Sequence, residues 1–307
     1  MFVTGPDKGY GQGMLSAREV GITAERELYR NIRSSKGIAM FALFLLGGLV
    51  FSVLVSTIIQ FLLAKLATRA GLTEIPAELQ RQLFEQYLIE TYPGEAIPRY
   101  LGESPAVLYF LYQGTLVFLP LLVLLVGFDQ IAGEVQHRTI RYSAGRATRA
   151  SIVLGKALGV WGVIAVMILV LHLTVWVLVL VRGAGTAGQI LAWGPRFWLL
   201  SVLCAAAYVG FGSIVSAFFR TPIVALFVGA GAGAALWLSY KVAWLAGTST
   251  FSFARAGQIA EWAFPNNYEQ LLVSPSVGTV LGGAALFIGW GALCVAASVT
   301  IVSRRDI

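Results

Sequence analysis

The 307-residue chain is 57% hydrophobic and 12% charged, with a net charge of +7; its charged share is about half that of a soluble domain. That balance excludes an ordinary water-soluble globule. Two cysteines and two histidines also exclude a disulfide framework and a Cys/His zinc cluster within one chain.

Residues 1–36 are polar, with six Lys/Arg against four Asp/Glu and no apolar core leading into small residues. No cleavable signal peptide is expected, so the first span has to serve as the insertion signal. The GxGxG spacing within residues 5–13 follows no strand and is not a phosphate loop. Ala17, Val20, Ala24, Leu28 and Ile32 then recur at helical spacing, with Arg18, Glu19, Arg26, Arg30 and Arg33 opposite. This pattern predicts an amphipathic interfacial helix ahead of the first span.

Six apolar stretches follow, at residues 37–66, 105–128, 151–181, 195–219, 222–246 and 277–302. Each satisfies the requirement of about 20 apolar residues per bilayer crossing. The expected fold is an all-α membrane protein with one six-helix domain over residues 37–307. Between the first two spans, residues 67–104 hold six acids and three arginines. Leu79, Leu83, Phe84, Tyr87 and Leu88 predict a short helix there, opened by Pro76. This loop is read as a cap on the outer mouth, with docking of a periplasmic partner as the alternative. Residues 247–276 are more apolar than an exposed loop, with Phe251, Phe253, Trp262 and Phe264, and are broken by Pro265 and Pro275. Irregular backbone of that kind fits a re-entrant segment packed against protein. Trp193, Trp198, Trp237, Tyr240 and Trp244 read as an aromatic belt at the outer surface, with Lys241 snorkelling beside them. The four-residue glycine spacings 155–159, 229–233 and 278–282 suit close helix packing inside the bundle.

With the N-terminus in the cytoplasm, inside segments carry fourteen basic and seven acidic residues, and outside segments eight of each. The whole excess lies on one side, which predicts both termini in the cytoplasm of a multi-pass inner-membrane protein. The positive charge therefore reports topology and contact with lipid, and no nucleic-acid partner is expected.

Catalytic patterns are absent from the sequence. His137 and His172 form no HExxH, Ser213 lies in GFGSI instead of GxSxG, and Gly155-Lys156 lacks a P-loop's leading glycine and final Ser/Thr. No intrinsic enzyme activity and no bound cofactor are expected. ATP and Mg would belong to another subunit. His172, deep in the third span, is a candidate pathway residue. The spans hold no Asp or Glu, which counts against an ion-coupled secondary transporter.

The informative stretch runs from Phe128 to Gly159, and its polar part, residues 129–150, links the second and third spans with Asp129, Glu134, Arg138, Thr139, Arg141, Arg146 and Arg149. Its charges hold it at the membrane surface, and both ends run into spanning helices. This stretch resembles the cytoplasmic segment between the second and third helices of ABC-2 type permeases. Glu134 matches the family's acid, Thr139 its threonine, Arg146 or Arg149 its turn arginine, and Gly155-Lys156 its Gly-Lys pair. Arg138 departs from the family's glycine, and Ala144-Gly145 from its proline. The basic run 26–33 and the Ser303-Arg304-Arg305-Asp306 ending are similar to family features as well. The resemblance implies two ABC ATP-binding subunits as partners, a second permease copy or paralogue, and residues 129–150 as the coupling segment contacting the ATPase. The function so implied is that of an exporter's permease subunit. The rivals are a non-transporting mechanical relay to a periplasmic protein and an ion-coupled transporter.

Overall fold

Apolar runs in a bilayer must pair every backbone N–H and C=O within their own segment, and helices do so. The computed structural model describes residues 15–92, 94–139, 147–247, 254–262 and 264–305, and no strand occurs among them. Six long helices are apolar enough to cross a membrane. They are α2 (Ser35–Arg69), α5 (Ala106–Gly127), α7 (Arg149–Val181), α8 (Ala187–Phe218), α9 (Pro222–Gly247) and α12 (Val277–Ser303). The shorter helices are α1 (Ala17–Arg33), α3 (Ala77–Thr91), α4 (Ala96–Leu101), α6 (Ala132–Gln136), α10 (Ala254–Glu261) and α11 (Glu269–Leu272), with a 3-10 turn at Pro265–Tyr268.

Caps set the helix starts. Ser34 accepts from the Gly37 amide at 2.9 Å, and Thr148 accepts from Ser151 at 3.2 Å, so α2 and α7 begin two residues before their apolar runs. The fourth spanning helix was expected to open at Pro195, yet it begins at Ala187. Thr186 and Gln189 cap each other reciprocally there, a box that starts the helix upstream and leaves Pro195 inside it. At about 1.5 Å per residue, α7 is about 50 Å long and exceeds a hydrocarbon core of about 30 Å.

Helices α5, α7 and α8 form the centre, around fully buried Tyr109, Tyr112, Ile164, Ile168 and Phe197. Helices α2 and α9 flank it with most of their apolar surface exposed, as lipid-facing helices do. Helices α8 and α12 cross where Gly210 meets Gly291. A Cβ at Gly210 would stand 2.5 Å from the Gly291 carbonyl, so only glycine admits that approach. The 67–104 loop folds onto this body, with Leu88, Tyr92 and Leu101 buried in its core. Of the stripe expected on α3, only Phe84 and Leu88 turn inward, whereas Leu79, Leu83 and Tyr87 stay exposed. Arg196 of α8 lies 4.8 Å from the Tyr100 ring and donates to the Ser274 carbonyl at 2.8 Å, tying the two non-spanning segments at that end together.

Candidate functional site: a charged junction at one end of the bundle

Helix α1 forms as its periodicity predicts, but the buried face is rotated from the expected one. Val20, Glu27 and Asn31 are buried, whereas Ile22, Tyr29 and Ile32 are exposed. The inward face lies along the first turns of α7, where Gly155 and Gly159 leave a groove. A Cβ at Gly155 would approach the Val20 carbonyl to 2.8 Å, and one at Gly159 the Ala24 carbonyl to 2.8 Å. The 155–159 spacing is therefore a seat for α1. Gly229 packs similarly, on Leu124 and Val215, while Gly278 and Gly282 meet no neighbouring helix.

This seat brings charges together out of water. Lys156 Nζ donates to Glu27 Oε2 at 3.3 Å and to Glu134 Oε1 at 2.7 Å, with the lysine side chain 3% exposed. Arg30 pairs with Glu27 and lies 3.7 Å from Glu134. Asn31 Nδ2 adds a bond to Glu27 Oε1 at 3.1 Å. The buried Lys156 thus lies between two carboxylates, and Arg30, 42% exposed, meets them from the solvent side. The pairing is incomplete in one respect, since Glu134 Oε2 is buried without a hydrogen-bond partner among the described residues.

Helix α6, which carries Glu134, is held from its side. Its N-cap, Ile131, has no side-chain acceptor to offer. Ser216 of α8 takes that role, accepting from the Ile131 and Ala132 amides at 2.9 and 3.1 Å and donating to the Phe128 carbonyl at 2.9 Å. The helix ends in a Schellman motif. The Thr139 amide donates to the Glu134 carbonyl at 3.0 Å and the Arg138 amide to Val135 at 3.2 Å. Arg138 occupies the left-handed position of that motif, with φ of 56°. Glycine is the residue favoured there, and this is the position at which Arg138 departs from the pattern expected in the sequence.

Further ties radiate from the same end. Lys36 of α2 donates to Asp129 at 2.8 Å and to the Val126 carbonyl at 3.2 Å. Glu19 of α1 accepts from the Thr148 amide at 3.1 Å. Arg149 donates to the Val302, Ser303 and Arg305 carbonyls, at the C-terminus of α12, where helix dipole and orphan carbonyls both favour a cation. Arg305 in turn reaches the Phe218 and Phe219 carbonyls ending α8, and burial together with the Arg220 charge lowers its guanidinium pKa. The ends of all six spanning helices meet this network or the turn beside it.

The residues singled out from sequence thus divide. Asp129, Glu134 and Arg149 turn toward the protein, while Arg138 and Thr139 stand exposed beside Gln136 and His137. Arg141 and Arg146 lie outside the described residues. His172 is 1% exposed in α7, and neither ring nitrogen has a hydrogen-bond partner among the described residues. Sequence reasoning missed Glu27, Asn31, Lys36 and Ser216. Glu27 could have been found as the acid on the inward side of α1, beside a helix whose own lysine needed a partner.

The charges tie helices together; no group of metal-ligating side chains is present among the described residues. No curated protein matches the chain. A family model described as ABC-2 family transporter protein matches residues 22–302, from within α1 to the end of α12. The chain belongs to that family and is a multi-pass ABC transporter permease.

Proposed function

We propose that this permease is the membrane half of an ATP-driven exporter of the inner membrane. Two permease copies, identical or paralogous, would work with two ATP-binding subunits that bind ATP and Mg. The end carrying α1 and Arg305 faces the cytoplasm in this reading, in keeping with the one-sided excess of positive charge. The exposed turn Gln136, His137, Arg138 and Thr139 is the surface offered to the ATPase. Asp129, Glu134 and Arg149 work behind it and carry displacement into the spans.

The carrying observation is the buried Glu27–Lys156–Glu134 cluster. It joins the helix bearing the exposed turn to both α1 and α7, so the turn cannot shift without moving them or breaking ion pairs. Breaking a buried pair by removing one partner costs about 3–5 kcal/mol. A partner that drives such a shift needs fuel, and ATP binding supplies it.

The test is tandem purification of the tagged chain with its ATP-binding subunit in mild detergent. A cysteine at Arg138 should crosslink to that subunit, and Glu134→Gln should lower coupled ATP hydrolysis about tenfold or more while the complex still assembles. Failure to recover an ATP-binding subunit, or unchanged hydrolysis in Glu134→Gln, would reject the reading.

A further inference from the structure

Ser34 alone separates α1 from the spanning helix α2, which opens at Ser35. The last turns of α1 therefore lie at the membrane surface, and the seat on α7 fixes their orientation. Gly155 meets Val20 and Thr23, Gly159 meets Ala24 and Glu27, and Gly162 meets Leu28. Contacts that advance together along both helices mean that α1 and α7 run side by side in the same direction. Val20, Ala24 and Leu28 belong to the apolar face that the periodicity would give to the membrane interface, and protein covers them instead. Lipid contact falls to another face of α1.

That face is basic. Arg26, Tyr29, Arg30 and Arg33 follow one another at spacings of three and four residues, so they share one ridge. All four are exposed, and Ile22 and Ile32 stand exposed beside them. The Arg33 guanidinium carbon lies 5.3 Å from the centre of the Tyr29 ring. Arg30 is engaged with Glu27 and Glu134. Arg26 and Arg33 form no ion pair among the described residues. Of the acids of α1, Glu27 is buried and Glu19 accepts from the Thr148 amide, which leaves Glu25 as the exposed carboxylate beside the ridge.

The chemistry of the ridge and its place in the chain select the occupant. Guanidinium forks match phosphate oxygens. A soluble anion would meet the charges and leave Ile22, Tyr29 and Ile32 in water. An anionic phospholipid meets both needs, with its phosphate on the arginines and its glycerol region against the ring and the isoleucines. The bilayer also begins within two residues of Arg33. We propose that Arg26, Tyr29 and Arg33 form a binding site for anionic phospholipid headgroups, and that lipid bound there holds α1 in its seat. The seat turns the ridge away from the bundle toward surrounding lipid, so occupancy favours the seated arrangement. Glu27, on the inward side of the same helix, keeps its bond to Lys156 only while α1 is seated. The proposal goes beyond the permease reading and does not depend on an ATPase.

The test uses the whole chain in nanodiscs of phosphatidylcholine with or without phosphatidylglycerol, followed by hydrogen–deuterium exchange. Phosphatidylglycerol should slow exchange of the α1 amides about fivefold or more, by binding the seated helix. Exchange in α12 should be equal in both membranes, which reports an intact fold. In Arg26→Gln/Arg33→Gln the slowing should vanish with α12 unchanged, whereas Arg81→Gln/Arg99→Gln, on the 67–104 loop, should retain it. Inorganic phosphate added to phosphatidylcholine discs should slow nothing, which separates a lipid from a free anion. Equal exchange of α1 in the two membranes, or slowing that survives Arg26→Gln/Arg33→Gln, would overturn the proposal. So would the same loss in Arg81→Gln/Arg99→Gln, which would report net charge alone, or a matching effect of inorganic phosphate. The permease reading would stand in each of those cases, since no step of the test involves ATP.

Discussion

Arg138 shows how one side chain can be kept against its own backbone preference. A left-handed conformation costs an L-residue about 1–2 kcal/mol, and glycine would remove that cost while keeping both Schellman bonds. Arg138→Gly should therefore slow exchange of the Thr139 amide about fivefold or more, measured by hydrogen–deuterium exchange. The same variant should weaken the ATPase contact if the guanidinium is what the partner binds. The sequence displayed the Arg138 departure clearly, but not its conformation, which depends on where α6 ends. Glu134 was legible as important and illegible in direction. Its inward turn depends on Lys156, 22 residues further along the chain, and on a helix from the N-terminus. The apolar residues crowding 247–276 were the signal that part of this loop leaves the surface, as Tyr268 and Leu272 do in joining the main core.

The six spanning helices were readable because twenty apolar residues in a row have few other solutions. Their exact starts were less so. At α8 the capping box outweighed Pro195, whose missing N–H is tolerated inside a helix supported by its neighbours. For α1, the periodicity gave the helix, while the buried face followed the glycine groove of α7 and admitted Glu27 and Asn31 in place of Ala17 and Ile32. Close backbone approach of this kind leaves no room for a side chain. Gly159→Val should drive α1 from its seat, because the first added carbon already lies 2.6 Å from the Glu27 Cβ. Overpacking costs about 1–3 kcal/mol, and exposing Lys156 without Glu27 adds to it. Limited proteolysis should then cleave after Arg26 or Arg30 in the variant and not in the parent protein.

At the scale of the molecule, the tied end and the opposite end differ in kind. One is cross-linked by ion pairs and side chains bound to carbonyls, and the other is closed by aromatic packing beneath the 67–104 loop. The ties at the first end join helices that are far apart in the chain, as Lys36 to Asp129 and Arg149 to the last turn of α12 do. The seat of α1 also bears on how the protein is made. Glu27 meets Lys156 across 129 residues of chain, and ribosomes add about 5–20 residues per second. For on the order of ten seconds the newborn N-terminal helix has no groove to enter and its glutamate no lysine. A nascent chain arrested before residue 150 should therefore leave α1 protease-sensitive, and one extended past residue 181 should protect it. The first helix thus owes its seat to a span made more than a hundred residues later.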